Sequence, residues 1–157
     1  MALKGDRQIY ADDITKTCPS VAERGVVLVH KTAGSGVNLG DRAGVADLLA
    51  NPSGYKPAGM LYGDMVDVDL TRYKLNQHKD ETKIGNRCRL ITKGRLTTNK
   101  VTGSCNPGDV AYLTSNGVLT ATMSSTGGLV ATPKVGNFAA SVDENGFVAV
   151  DINLPIA

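Results

Sequence analysis

The chain has 157 residues, with 17 Lys and Arg against 15 Asp and Glu, 41% hydrophobic residues, 4% aromatic residues and no Trp. This length matches one domain of about 100–200 residues with a real core. No run of about 18 apolar residues is present, which excludes a membrane-spanning helix. So few aromatics argue against a stacking platform for single-stranded nucleic acid.

The first 30 residues lack a basic start followed by an apolar run, so no secretory signal is expected. The three cysteines, Cys18, Cys88 and Cys105, then read as reduced thiols in a cytosol, each a small buried apolar side chain. Charge is uneven along the chain. Residues 1–69 carry 7 basic and 9 acidic groups, residues 70–100 carry 9 and 2, and residues 101–157 carry 1 and 4. The central excess of seven positive charges attracts nucleic acid, an acidic protein surface, or an acidic part of the same fold. No recognition-helix or RNP-like motif accompanies it.

Residues 1–20 read as an arm with few large apolar side chains (Leu3, Ile9, Tyr10, Ile14), ending at Cys18 and Pro19. The β-branched run at residues 25–29 predicts a buried strand. Residues 41–50 predict the one helix: Asp41 is placed to cap it, Ala and Leu fill it, and Asn51-Pro52 stops it. Residues 51–63 read as a loop, with three glycines and two prolines. Residues 64–70 alternate apolar and acidic, predicting a strand.

Residues 87–93 predict another strand. Arg87, Arg89, Ile91 and Lys93 share one of its faces, Gly94 bends or bulges it, and a further extended piece starts at Leu96. Beyond residue 100 the chain is rich in Val, Thr and Gly, which favours strands. Asn116-Gly117 and Asn145-Gly146 each lie between apolar runs. Both predict type I′ hairpins, because Asn and Gly tolerate positive φ. The expected fold is mainly β: a small antiparallel β-barrel domain with an extended N-terminal arm and one short helix.

Catalytic signals are weak. Gly34, Gly36 and Gly40 miss the dinucleotide spacing by one residue, and no Walker lysine follows. His30 and His78 fit no metal-ligand spacing with the cysteines. Asp64, Asp67 and Asp69 offer a hard-cation site in principle, yet such residues more often form a solvated face. No catalytic, cofactor-binding or metal residues are therefore assigned.

Several segments in order resemble the capsid decoration, or cement, proteins of tailed bacteriophages. They are residues 59–70 (Gly59-Met60-Leu61 to Asp69-Leu70), residues 75–81, and residues 91–99 (Ile91-Thr92-Lys93-Gly94-Arg95-Leu96). They continue with Pro107-Gly108-Asp109, Tyr112-Leu113, Asn116-Gly117, Val135-Gly136, Asp143-Glu144-Asn145-Gly146 and Asn153-Leu154-Pro155. The resemblance implies a β-tulip domain over residues 21–157 behind an arm at 1–20. It implies a non-enzymatic virion protein without cofactor or small-molecule substrate, made in the host cytoplasm and bound to the outer capsid surface. Its partners would be the major capsid protein and two further copies in a homotrimer, with no membrane and no direct nucleic-acid contact. The interface residues expected on this reading are Arg7, Ile9, Tyr10 and Ile14 in the arm, with Arg87, Arg89, Lys93 and Arg95 for charged contacts. The rivals are a nucleic-acid-binding β-barrel using residues 70–100, and a small-molecule or hydrolytic domain at residues 34–40 or 64–69.

Overall fold

The computed structural model describes residues 8–31, 44–64, 81–82, 87–123 and 132–155. These residues are mainly β, with 52% strand and 3% helix, in a sheet curled into an open half-barrel. The strands are β1 (Gln8–Asp13), β2 (Ala22–Glu23), β3 (Val27–Lys31), β4 (Val45–Asp47), β5 (Pro57–Asp64) and β6 (Glu81–Thr82). They continue with β7 (Cys88–Thr98), β8 (Val101–Thr102), β9 (Val110–Leu113), β10 (Leu119–Thr120), β11 (Lys134–Phe138) and β12 (Val148–Asn153). The main sheet runs β4-β3-β5-β7-β12-β11-β9-β10-β8, with β1 added on β7, while β2 and β6 form a separate pair. Named strands pair antiparallel except β8 with β10.

Two cores lie on opposite faces of β3, β5 and β7. Val27, Val29, Met60 and Ile91 join Leu96, Leu113, Phe138 and Val150 in the larger one. Val26, Leu28, Leu61, Cys88 and Leu90 form the smaller one with Cys18, Ala22, Ala46 and Ala58. Neighbouring residues of a strand point to opposite faces, so burial on both faces explains the unbroken apolar run at 25–29. It also places Ile91 in the core, and the expected face shared by Ile91 and Lys93 is corrected: the register of β7 shifts at Thr92, so Ile91 is buried while Lys93 is exposed.

The expected helix at 41–50 is corrected. Residues 41–43 lie outside the described residues, and Val45–Asp47 form β4, paired with β3. Tertiary contacts override the local helix preference here. Val45 and Ala46 are buried, and the Asp47 carboxylate accepts from Ser20 Oγ (2.6 Å), Lys31 Nζ (3.0 Å) and Leu48 N (2.8 Å). The loop expected at 51–63 is likewise corrected from Pro57 onward, where β5 runs. Gly59 sits at φ +157, where a Cβ would stand 2.8 Å from Leu90 Cβ, so this glycine marks close strand packing rather than a loop. The two pieces expected around Gly94 are one continuous strand, β7. Of the strand expected at 64–70, only Asp64 is described, as the last residue of β5.

Both Asn-Gly turns form, with different geometry. Asn116 (φ 54) and Gly117 (φ 77) both take positive φ, as a type I′ turn requires. At the second turn only Gly146 does, at φ 80. Its N–H donates to Asp143 O (3.0 Å), and Asp143 Oδ1 accepts from Asn145 N (2.9 Å) and Phe147 N (2.7 Å). That pattern is a three-residue loop closed by a left-handed glycine, organised by the Asp143 carboxylate.

Gly117 is also pressed by its surroundings. A Cβ there would lie 2.8 Å from Leu48 Cδ2, Val26 Cβ and Val27 O, whereas at Gly103 (φ +78) it would meet nothing within 4 Å. Both alanine variants carry the left-handed backbone penalty, and Gly117→Ala adds overpacking. Urea unfolding should show Gly117→Ala less stable than Gly103→Ala by about 1–3 kcal/mol; equal losses would mean the contact relaxes freely.

Candidate functional site

The candidate site grows from β7, because β7 changes partner along its length. β5 pairs with it from Cys88 to Ile91, and β12 from Lys93 to Thr98. β1 pairs across that change, from Leu90 to Arg95. Gly94 permits the close approach of β1. Its φ is +151, and a Cβ would stand 2.1 Å from Gln8 O, which no side chain tolerates.

The register between β1 and β7 shifts twice. Ile9 faces Gly94, Ala11 faces Lys93, and Asp12 faces Ile91. Tyr10 is therefore an extra residue on β1, and Thr92 a compensating one on β7. Thr92 Oγ1 donates to Ala11 O (3.2 Å) to fill its gap. A bulge re-aims the side chain it carries. Tyr10 stands 76% exposed, and its hydroxyl donates to Gln8 Oε1 (3.0 Å).

Three of the sequence-derived interface residues converge here. Tyr10, Lys93 and Arg95 line one depression of about 400 Å³, joined by Gln8, Asp151 and Asn153. Gly94 and Ile152 also line it. The strand register explains the convergence, since Gln8, Arg95 and Asp151 stand in one row across β1, β7 and β12, and Lys93 faces Asn153 in the next. Arg95 Nε and Nη2 donate to Asp151 Oδ1 (2.6 Å) and Oδ2 (2.8 Å), a bidentate pair. The hydrogen bonds from Arg95 hold the Asp151 carboxyl below the usual aspartate value, and Asp151 raises Arg95 in return. Lys93 is exposed and forms no ion pair with any described residue.

The other expected residues lie elsewhere. Ile9 packs against the larger core, and Ile14 is 42% exposed just after β1. Arg89 donates from Nε to Asp12 Oδ2 (2.5 Å) and lies 4.9 Å from the Tyr62 ring centroid. Arg87 precedes β7, bridged to Thr17, and its Nη2 is buried with no hydrogen-bond partner. Arg7 falls outside the described residues, as do residues 34–40, His78, Asp67 and Asp69. Asp12 and Asp151 are what sequence reading missed. The available signal was the acidic surplus outside residues 70–100, which carries no information about pairing.

The three cysteines are buried and unpaired in disulfides, as expected. Burial pushes the Cys18 thiol up to about 11 and the Cys88 thiol up to about 12, so neither offers a thiolate nucleophile at neutral pH. Among the described residues no group of three or more His, Cys, Asp or Glu side chains is placed to hold a metal ion. No family model and no curated protein matches this chain.

Two measurements test this geometry. Gly94→Ala should expel β1, so hydrogen exchange at residues 8–13 rises while β12 keeps its protection; unchanged protection of β1 would show that Gly94 does not set its position. Acid should destabilise the fold through Asp151 and Asp13. Burial raises the Asp13 carboxyl, but hydrogen bonds from the Thr15 hydroxyl and amide and the charge of Lys16 outweigh it, leaving a net lowering. A lowered folded-state pKa gives stability above the ordinary value of 3.8 that is lost as pH falls through the folded value. Asp151→Asn should flatten the loss of stability below pH 3.8, by at most about 1 kcal/mol because the pair is exposed. An unchanged acid limb would remove the Arg95–Asp151 pair as a contributor.

Proposed function

We propose that this chain is a structural virion protein: a decoration protein that binds the outside of a phage head as a trimer and clamps neighbouring major capsid proteins against the pressure of packaged DNA. The ordered motifs of residues 59–155 support the reading, and one structural observation carries it further. The described residues leave five large hydrophobic side chains exposed, and three of them, Tyr10, Ile14 and Val21, lie in the N-terminal 21 residues. Exposed apolar groups gathered on one segment find cover in an assembly. The end strand β8 of the open sheet adds an edge that a neighbour can complete. Three linked copies turn a weak contact into a strong one, because the second and third contacts form at high effective concentration.

The rival reading, nucleic-acid binding through residues 70–100, has less support. Of the five described cations there, Arg89, Arg95 and Lys100 are matched by Asp12, Asp151 and Glu23 from outside that stretch. Among the described cations of that stretch, this leaves Arg87 and Lys93 to release counterions from a polyanion.

The test uses purified heads lacking this protein. The double variant Ile14→Asp, Val21→Asp should saturate them at least about tenfold more weakly than the parent chain, with an unchanged thermal midpoint, because exposed sites tolerate substitution. Full-affinity binding by the variant would refute the assignment of this segment, and failure of the parent chain to bind any head would refute the function.

A further inference from the structure

Tyr10 lines the depression on β1, β7 and β12, which Ile14 and Val21 do not. We propose that this depression is a saccharide-binding site that favours a sugar bearing a carboxylate, such as a hexuronate. The inference is independent of how the chain mounts on a shell and applies to the free protein.

The chemistry of the lining selects this class. A sugar ring presents an apolar C–H face and a rim of hydroxyls that both donate and accept. The bulge holds the Tyr10 ring out at 76% exposure beside the depression, with its hydroxyl tied to Gln8. It is a ready surface for the C–H face, with little ordering left to lose on binding. The rim needs planar groups of both hydrogen-bonding senses, fixed in advance. The bidentate Arg95–Asp151 pair provides them. Each Asp151 oxygen keeps a free lone pair beside the one used, and Arg95 keeps the two N–H bonds of Nη1. Asn153 adds an amide with both a donor and an acceptor, and Gln8 keeps its NH₂ after its carbonyl oxygen has accepted from Tyr10.

Charge then narrows the class. Arg95 and Asp151 cancel, leaving the Lys93 ammonium as the surplus charge at the rim, with no ion pair to any described residue. A ligand carboxylate completes it, whereas a neutral sugar leaves it to water. The open, shallow shape suits one or two sugar units of a longer chain rather than an engulfed small molecule. An acidic peptide shares the carboxylate but lacks the hydroxyl rim, so it leaves the Asp151 and Asn153 acceptors unmatched.

The experiment titrates the isotope-labelled full chain with trigalacturonate, with maltotriose and with a triglutamate peptide, following backbone amide shifts. Trigalacturonate at about 10 mM should move the amides of Tyr10, Lys93, Gly94 and Asn153, with maltotriose several-fold weaker and triglutamate weaker still. Tyr10→Ala should weaken trigalacturonate binding by about 3–10-fold, the scale of one ring contact. Lys93→Ala should cost up to about fivefold for trigalacturonate and leave maltotriose unchanged, as expected for one exposed charge pair. Absence of shifts at these amides, or binding indifferent to Tyr10→Ala, would overturn the proposal. Triglutamate binding as tightly as trigalacturonate would replace it with an acidic-peptide site. Thermal midpoints of both variants should match the parent chain, since both side chains project into solvent.

Discussion

The contact between the β1 backbone and Gly94 is the constraint on which the candidate site depends. β1 crosses the point where β7 changes partner from β5 to β12, and its backbone lies close against β7 there. Only a residue without Cβ lets Gln8 O sit where it does. Once the two backbones touch, the register on either side is forced, and the mismatch is taken up by one extra residue on each strand, Tyr10 and Thr92. The exposure of Tyr10, the row Gln8–Arg95–Asp151 and the neighbouring Lys93 all follow from that one accommodation. A side chain at position 94 would strike Gln8 O and dissolve the depression while leaving the other lining side chains unchanged.

The N-terminal segment consequently has two physical roles in one chain. Its inner positions are structural. Ile9 joins the larger core, while Cys18 and Ala22 cover the smaller one on the reverse face of β3, β5 and β7. That cover is part of what keeps Leu28, Leu61 and Leu90 buried, and a fully buried leucine contributes about 1.5–3 kcal/mol. Its outer positions, Tyr10, Ile14 and Val21, stay exposed. The arm is therefore not a free tether that orders only on a partner. Its residues 8–13 are already a strand of the sheet, and what it offers outward is a presented surface.

Legibility in the sequence followed how local each cause is. Asn116-Gly117 was readable because a type I′ turn makes its demand at those two residues themselves. Asn145-Gly146 gave the hairpin but the wrong turn, because the geometry there is set by the Asp143 carboxylate two residues upstream. The helix expected at 41–50 failed for a non-local reason: Asp47 is held by Ser20, just before β2, and by Lys31 of β3, and no local propensity records that. The prolines and glycines of 51–63 read as a loop, although Gly59 is needed for tight packing against Leu90. At the site, Gly94 was legible as a special position in a basic strand, but its role is to admit the β1 backbone rather than to end or bend β7, while Tyr10 was singled out as a large apolar residue of the arm rather than for the bulge that exposes it. The acidic partners were invisible, because register across three strands decides them.

Those partners change what the central cationic stretch means. Nine bases against two acids within 31 residues looks like a surface waiting for a polyanion. In the fold, Arg89 reaches Asp12, Arg95 reaches Asp151, and Lys100 reaches Glu23, so charge separated along the chain is recombined between strands. Thr98 closes the same end of β7, its buried hydroxyl donating to Gly25 O and accepting from Lys100 N. The excess therefore acts partly as a code for assembling the domain, matching a basic middle strand to acidic strands on both sides. Each exposed pair adds little stability alone, but like charges placed opposite one another would penalise any other strand order. Lys93 is the exception on β7, a cation with no ion pair to any described residue, beside the Tyr10 ring that the β1 bulge turns outward.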